Sequence, residues 1–189
     1  MSATNQSSEG RDVVDLLVSQ HGEVKSLISQ IQGLTGTARK SSFERLVNLL
    51  AVHETAEEIV VYPAVRATGP QGEQLAAART SEEDNAKGAL SQLEKLGVDR
   101  PEFGPKLEAF QRLVVTHAEN EEREIFPLLR QSRTPDELKK MAESVEMAEK
   151  FAPTHPHPHG PESAIGNVII GPFVAIADKV RDALRRRTG

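Results

Sequence analysis

Apolar residues recur along this chain at alternating steps of three and four. Between residues 12 and 34, Val14, Leu17, His21, Val24, Ile28 and Ile31 form one stripe, the period of an amphipathic α-helix. Gly33 and Gly36 are placed to end it. A second stripe opens near Ser41 and runs through Phe43, Leu46, Leu50, His53, Glu57, Val60 and Ala64 to the Gly69-Pro70 turn. The third, over 71–96, is weaker in its first half and continues through Glu83, Ala86, Leu90 and Leu93 into Gly97. The fourth, over 102–131, carries Leu107, Phe110, Val114, His117, Glu121 and Leu128. Four such helices joined by short Gly/Pro turns predict an all-α fold, an antiparallel up-down-up-down four-helix bundle. Each stripe is interrupted midway by a His or a carboxylate, at positions that otherwise face a core.

The rest of the chain divides by composition. Residues 1–11 are rich in Ser, Asn and Gly and read as a flexible tail, not a signal peptide. After the bundle, taken as 12–131, Thr134-Pro135-Asp136-Glu137 has the form of an N-cap with Pro in the first turn, opening a shorter helix to about 150. The stretch 151–162 is Pro-rich and extended, and an amphipathic segment over 173–187 ends in Arg185, Arg186 and Arg187. The C-terminal region, 132–189, is expected to pack on the bundle.

Composition narrows the chemistry. The 189 residues suffice for one core; Cys and Trp are absent and Tyr62 is the single tyrosine. Without cysteine there is no disulfide framework, iron–sulfur cluster or Cys-ligated zinc, so any metal must use His, carboxylate or phenolate. A net charge of −5 gives no broad reason to approach nucleic acid or an anionic membrane. The longest apolar stretch, 164–177, is broken by Gly166, Asn167, Gly171 and Pro172 and falls short of the ~20 residues a spanning helix needs. A cytoplasmic protein without a membrane partner is expected; oligomeric state is not legible.

An internal repeat locates the polar residues. His53-Glu54-Thr55-Ala56-Glu57-Glu58 through Pro63 lies over His117-Ala118-Glu119-Asn120-Glu121-Glu122 through Pro127, an offset of 64 residues (53 onto 117). A second match sets 19–34 over 81–96, an offset of 62, with Lys25 over Lys87 and His21 over Glu83. Each copy therefore supplies one side chain from its first helix and a His-x-x-x-Glu pair from its second. Residues four apart share a helix face, so His53 with Glu57, and His117 with Glu121, can reach one interior point. One such pair is common on solvated helices, where hydrogen-bonded core residues or a plain charged face explain it. Two in register, each on an apolar seam with a third partner, favour metal, because six buried polar groups in one layer are costly without cations. Imidazole and carboxylate without thiolate suit iron or manganese, with zinc open.

Residues near these positions are weaker candidates. Glu82 is an alternative to Glu83 if the helix is rotated by one residue, although the repeat favours Glu83. Glu54, Glu58, Glu119 and Glu122 lie off the seam as solvated or supporting groups, with Glu58 and Glu122 able to orient ligands. Glu124 continues the fourth stripe and is a candidate supporting group or proton donor. Tyr62 lies nine residues after His53, about half a turn from its face in an ideal helix, so it reads as packing, matched by Phe126. Yet Pro63 disturbs regular geometry there, and a phenolate can replace a missing imidazole, so iron ligation by Tyr62 stays open. His155, His157 and His159 alternate with Pro, which fits a linker with no fixed chelating geometry better than a metal tract.

Taken together, His21, His53-x-x-x-Glu57-Glu58 with Tyr62-Pro63, and His117-x-x-x-Glu121-Glu122 with Phe126-Pro127 resemble the hemerythrin-like proteins, the group with the HHE cation-binding domain. The segment 153–158 and Gly171-Pro172 look like the tail of actinobacterial members. The resemblance implies a four-helix bundle holding two iron ions, oxo- or hydroxo-bridged, with Glu57 and Glu121 bridging and the histidines capping. Relatives of this kind bind dioxygen, sense oxygen or redox state, handle iron, or act on hydrogen peroxide and nitric oxide, and the fold does not choose among these. Where the family usually offers another His, this chain has Glu83. A third anionic ligand favours ferric iron and disfavours a lasting oxygen-carrying form. The expected function is therefore a di-iron redox enzyme consuming hydrogen peroxide or a related small oxidant, nitric oxide included. The alternatives are an oxygen- or redox-sensing or oxygen-binding protein without turnover, or an iron-handling bundle. Leu17, Val24, Leu50, Val60, Phe110 and Val114 are expected to line its pocket, with no catalytic group evident beyond the ligands.

Overall fold

The computed structural model describes residues 10–151, and every regular element among them is helical. Helix α1 (Val13–Gly33) is capped by Asp12, whose Oδ1 accepts the Asp15 N–H at 3.0 Å. Helix α2 (Gly36–Ala56) passes through a π-helical segment (Glu57–Val61) into α3 (Tyr62–Arg66). Gly69, at φ 117°, turns the chain into α4 (Pro70–Leu96), and Gly97, at φ 81°, ends it. Helix α5 (Phe103–Asn120) repeats the pattern, with a π segment (Glu121–Ile125) leading into α6 (Phe126–Ser132). Helix α7 (Pro135–Phe151) follows, its start fixed by a capping box in which Thr134 N–H donates to Glu137 Oε2 at 2.7 Å.

Two features depart from the apolar stripes. Helix α2 starts at Gly36, five residues before the expected Ser41 (41 − 36). The added turn contains no stripe residue. It is anchored by Arg39, which donates to the carbonyls of Leu34 at 2.5 Å and Val98 at 3.1 Å. The second departure is the pair of π segments. A proline inside an α-helix lacks a donor and clashes with the carbonyl four residues back. Pro63 and Pro127 each follow a widened turn, in which the N–H of Tyr62 bonds Glu57 and that of Phe126 bonds Glu121, five residues back. The extra residue shifts the phase of everything downstream. Leu128 is only partly buried, and Ile125, Phe126 and Leu129 take the core positions.

The packed interior consists of two apolar clusters with the polar layer between them. One holds Val13, Leu17, Val60, Val61, Val65, Ile125 and Leu129 together with Leu138, Met141, Ala142, Val145 and Ala148 from α7. The other holds Ile28, Ile31, Leu46, Leu90, Leu93, Leu107 and Phe110. Each fully buried side chain of this size contributes roughly 1.5–3 kcal/mol, enough in sum to hold a layer of charged residues that would not assemble alone. Helix α7 lies against α1 and α2, a fifth helix on the bundle. No helix among the described residues is long and apolar enough to cross a membrane. Residues 1–9, the His155/His157/His159 segment and the helix expected over 173–187 lie outside the described residues.

Candidate metal centre

Both His-x-x-x-Glu pairs close at the junction where an α-helix becomes π-helical. His53 comes from α2 and His117 from α5, while Glu57 and Glu121 are the first residues of the two π segments. His53 Nε2 lies 3.3 Å from Glu57 Oε1, and His117 Nε2 lies 3.5 Å from Glu121 Oε2. His21 from α1 and Glu83 from α4 complete the layer, with His21 Nε2 at 3.3 Å from the same Glu121 oxygen and Glu83 Oε1 at 3.9 Å from His117 Nε2. All six are buried. They form two overlapping groups, His21, His53, Glu57 and Glu121 in one and Glu57, Glu83 and His117 in the other, each with ligand atoms within 4.8 Å of one another.

These atoms have the signature of a cation site. The inward-facing His21 Nε2, His117 Nε2, both oxygens of Glu57, Glu83 Oε2 and Glu121 Oε2 have no hydrogen-bond partner although fully enclosed. Orphaned buried acceptors are rare because each costs kilocalories, and a cluster of them is what a bound cation would satisfy.

The outward ring nitrogens are all engaged. His21 Nδ1 is 3.0 Å from Glu122 Oε1, His53 Nδ1 2.8 Å from Gln20 Oε1, and His117 Nδ1 3.1 Å from Glu82 Oε2. An Nδ1–H given to an oxygen leaves Nε2 with a free lone pair pointing inward, the usual preparation of a metal-binding imidazole. The repeat extends to these supports, since Gln20 lies over Glu82 (20 + 62). It extends to a pair of ion bridges as well. Lys25 lies 3.7 Å from Glu122, and its match Lys87 lies 2.5 Å from Glu58. Lys87 also reaches Glu83 at 3.6 Å and Glu54 at 3.8 Å. Burial alone would depress the Lys87 ammonium, but Glu54, Glu83 and Glu58 outweigh it and hold the charge.

Tyr62 belongs to the site. The π turn brings its hydroxyl to Glu83 Oε1, to which it is hydrogen-bonded, and to Glu121 Oε1 at 2.9 Å. Its match Phe126 stacks on His21, with ring centroids 5.7 Å apart. Both contacts run between the two copies of the repeat: the first copy's imidazole meets the second copy's phenyl, and the first copy's phenol meets the second copy's carboxylate. Burial, followed by the charges of Glu57, Glu121 and Glu83, pushes the phenol well above its ordinary pKa, so the proton stays on Oη. Burial likewise raises Glu57, with Glu121 and Glu83 adding to it, and raises Glu83, with Glu54 adding to it. For Glu121 burial acts upward too, but the contact with His21 and the His117 and His53 rings outweigh it, to about 2. The central Glu57–Glu121 pair therefore shares charge unequally, with one ionised and the other protonated. Burial, then His21, lowers His53 to about 3, which keeps it neutral.

The weaker candidates sort by position. Glu83 faces the interior, and Glu82 instead accepts from His117. Glu122 orients His21, Glu58 holds Lys87 rather than a ligand, and Glu119 is exposed. Glu54, expected off the seam, is buried beside the centre, and that burial raises it to about 8. Glu124, displaced from the stripe by the π turn, pairs with Arg79 at 2.9 Å; a hydrogen bond from Arg123, ahead of Arg79, lowers its pKa, which makes it a poor proton donor. A cavity of about 20 Å³ measured to water centres lies against the three histidines, with Val24, Leu50 and Val114 among its walls. Leu17, Val60 and Phe110, expected there, pack in the two apolar clusters instead. Gln20, Arg79, Lys87 and Asn120 lie off the apolar stripes and were not expected at the site. For Gln20 and Lys87 the signal was present, since both sit at matched positions of the repeat.

Comparisons with known proteins identify the family and the fold. The Hemerythrin HHE cation binding domain family matches residues 12–129. An uncharacterized hemerythrin-like protein of Schizosaccharomyces pombe is 29% identical over 179 residues, spanning 92% of this chain and 87% of that protein. A DNA nickase of Nostoc sp. is 25% identical over 144 residues, 75% of this chain but only 40% of that protein. In fold, the chain is similar to the crystal structure of a hemerythrin HHE cation binding domain-containing protein from Mycobacterium kansasii. The TM-score is 0.67 at 23% identity, covering 75% of this chain and 86% of that one. With the family match spanning most of the chain and a His/Glu cluster suited to metal at its centre, this protein belongs to the hemerythrin HHE cation binding domain family.

Proposed function

We propose that the chain is a non-haem di-iron protein that consumes a small oxidant, hydrogen peroxide foremost and nitric oxide as the second candidate. The observation that carries this reading is the overlap of the two clusters at Glu57, both of whose oxygens are orphaned. One group of nitrogen and oxygen donors would hold one ion and the second group its neighbour, in the manner of carboxylate-bridged bundle proteins. Two irons held there would supply electron-transfer chemistry that no side chain of this set provides. The chain's own residues do the rest. Glu122, Gln20 and Glu82 orient the imidazoles, and Tyr62 keeps a proton between Glu83 and Glu121. The 20 Å³ cavity has room for about one water-sized molecule against the histidines.

Three carboxylates beside three imidazoles favour the ferric state, so a long-lived oxygen-carrying form is not expected. The nickase activity named for the Nostoc relative is not transferred, because this chain spans 40% of that protein and carries a net charge of −5. The test is metal analysis of the purified full-length protein followed by peroxide decay, with tert-butyl hydroperoxide as the bulky comparison. Two irons per chain, turnover of hydrogen peroxide and little turnover of the bulky analogue are expected. Two irons without turnover would point to a sensor or carrier, and absence of bound metal would remove the reading.

Tyr62 has its own test. As a hydrogen-bonded phenol it should contribute no phenolate-to-iron band to the visible spectrum, and Tyr62→Phe should keep both irons. A visible band abolished by that substitution would instead make Tyr62 a ligand.

A further inference from the structure

The two halves of the repeat secure their histidines in different ways. On the α5 side, His117 Nδ1 faces Glu82, a carboxylate that accepts only, and Glu82 is itself held by Arg79 at 2.7 Å and Asn120 at 2.8 Å. His117 must therefore carry its hydrogen on Nδ1. At the matched position on α1 stands Gln20, whose amide offers an oxygen on one side and an NH2 on the other. Those two ends have the same shape, so Gln20 alone could accept from His53 or donate to it. Donation would force the hydrogen of a neutral His53 onto Nε2, the nitrogen 3.3 Å from Glu57.

A residue of α7 removes the ambiguity. Gln20 Nε2 lies 2.6 Å from Glu149 Oε1, a carboxylate oxygen placed to accept the amide N–H. Burial raises the Glu149 carboxyl, and this bond to Gln20 works against that by favouring the accepting form. The NH2 must face Glu149, the amide oxygen must face His53, and His53 must protonate Nδ1. Glu149 lies beyond the residues 12–129 that match the family, on the helix that packs across α1 and α2. We infer that Glu149 is a positioning residue of the metal centre, acting through Gln20 to fix the hydrogen of His53 on Nδ1 and leave Nε2 free for a cation. This rests on the metal reading above, but the orientation of the chain His53–Gln20–Glu149 can be read without metal.

The test uses the full-length protein with 15N-labelled histidine, observed by long-range proton–nitrogen NMR before and after titration with zinc as a diamagnetic probe. The wild type should show His53 as a single Nδ1–H tautomer. In Glu149→Gln the partner can donate as well as accept, so His53 should divide between tautomers and zinc affinity should fall by roughly tenfold, the lower end for a lost supporting partner. The double variant Gln20→Glu/Glu149→Gln exchanges the two groups. The carboxylate then at position 20 would accept from both His53 and the amide at position 149, and tautomer and affinity should return. Rescue of this kind separates positioning from a merely structural role. The inference is overturned if E149Q leaves the His53 tautomer and zinc affinity unchanged, or if the double variant fails to restore them. If the tautomers follow the expected pattern but zinc binds no variant, the positioning of His53 stands and the metal reading falls.

Discussion

Replacing Glu57 with glutamine is expected to disable both halves of the centre at once. Glu57 is the residue common to both clusters, and neither of its oxygens has a hydrogen-bond partner. The amide would present an NH2 where a cation needs a lone pair. Removing a supporting residue around a metal costs about 10–100-fold in affinity, so loss of a shared ligand should exceed roughly 100-fold and leave fewer than two irons per chain. Glu122→Gln, which touches only His21 among the ligands, should stay within the smaller range. Stability should move in the opposite direction. Glu57, whose carboxyl burial raises well above its ordinary value, must take up a proton to be buried in the metal-free chain, whereas glutamine of the same shape is neutral in both states. Metal-free Glu57→Gln should therefore melt at a higher temperature than the metal-free wild type near neutral pH. Iron titration with thermal denaturation reads both signs, and an unchanged stoichiometry of two would sink the assignment of Glu57.

The second large effect is a reversal of pH dependence on metal binding. In the metal-free chain Glu54, Glu57 and Glu83 have raised pKa values, Glu54 at about 8 and the other two well above the ordinary 4.5. Such groups keep protons in the folded state that the unfolded state has released. Their stabilising contribution is complete below about pH 4.5 and is lost as the pH rises through the folded values. His53 works the other way, because its folded pKa is lowered from 6.5 to about 3 and its contribution is lost as the pH falls through that interval. Above pH 6.5 His53 is neutral in both states, so the carboxylates decide. Between pH 6.5 and 8 the metal-free protein should lose stability, by at most about 1.4 kcal/mol per pH unit for each carboxylate. With metal bound, the ligand carboxylates are ionised in the folded state and protons compete with the cation, so affinity and stability should rise over the same interval. Denaturant melts at four or five pH values, with and without iron, compare the slopes. Parallel slopes would show that these carboxylates do not face a cation.

How much of this was legible in the sequence depends on the kind of force involved. The stripes of α1, α2, α4 and α5 and the six buried His and Glu positions of the polar layer follow from helical period and from the repeat, because a buried seam must be apolar and its exceptions stand out. Helix α2 began early for a reason no stripe contains, the anchoring of Arg39 on two carbonyls. The π turns were visible only as a disturbance at Pro63. Their consequence, a phase shift of one residue, is why Leu129 and not Leu128 is buried, why Glu124 leaves the core face, and why Tyr62 reaches Glu83 and Glu121. Gln20 and Lys87 were hidden because amides and lysines are common on helix surfaces. Only the repeat, read together with the contacts, separates them from solvated neighbours.

Cations must sit where Glu57 joins the two clusters if the buried layer has the role assigned to it. Crystals of the iron-loaded protein, measured at the iron absorption edge, answer this directly. The expected anomalous map has two peaks inside the bundle, one among His21, His53, Glu57 and Glu121 and one among Glu57, Glu83 and His117. A map with no peak in that layer, or with iron bound only at some other part of the chain, would contradict it.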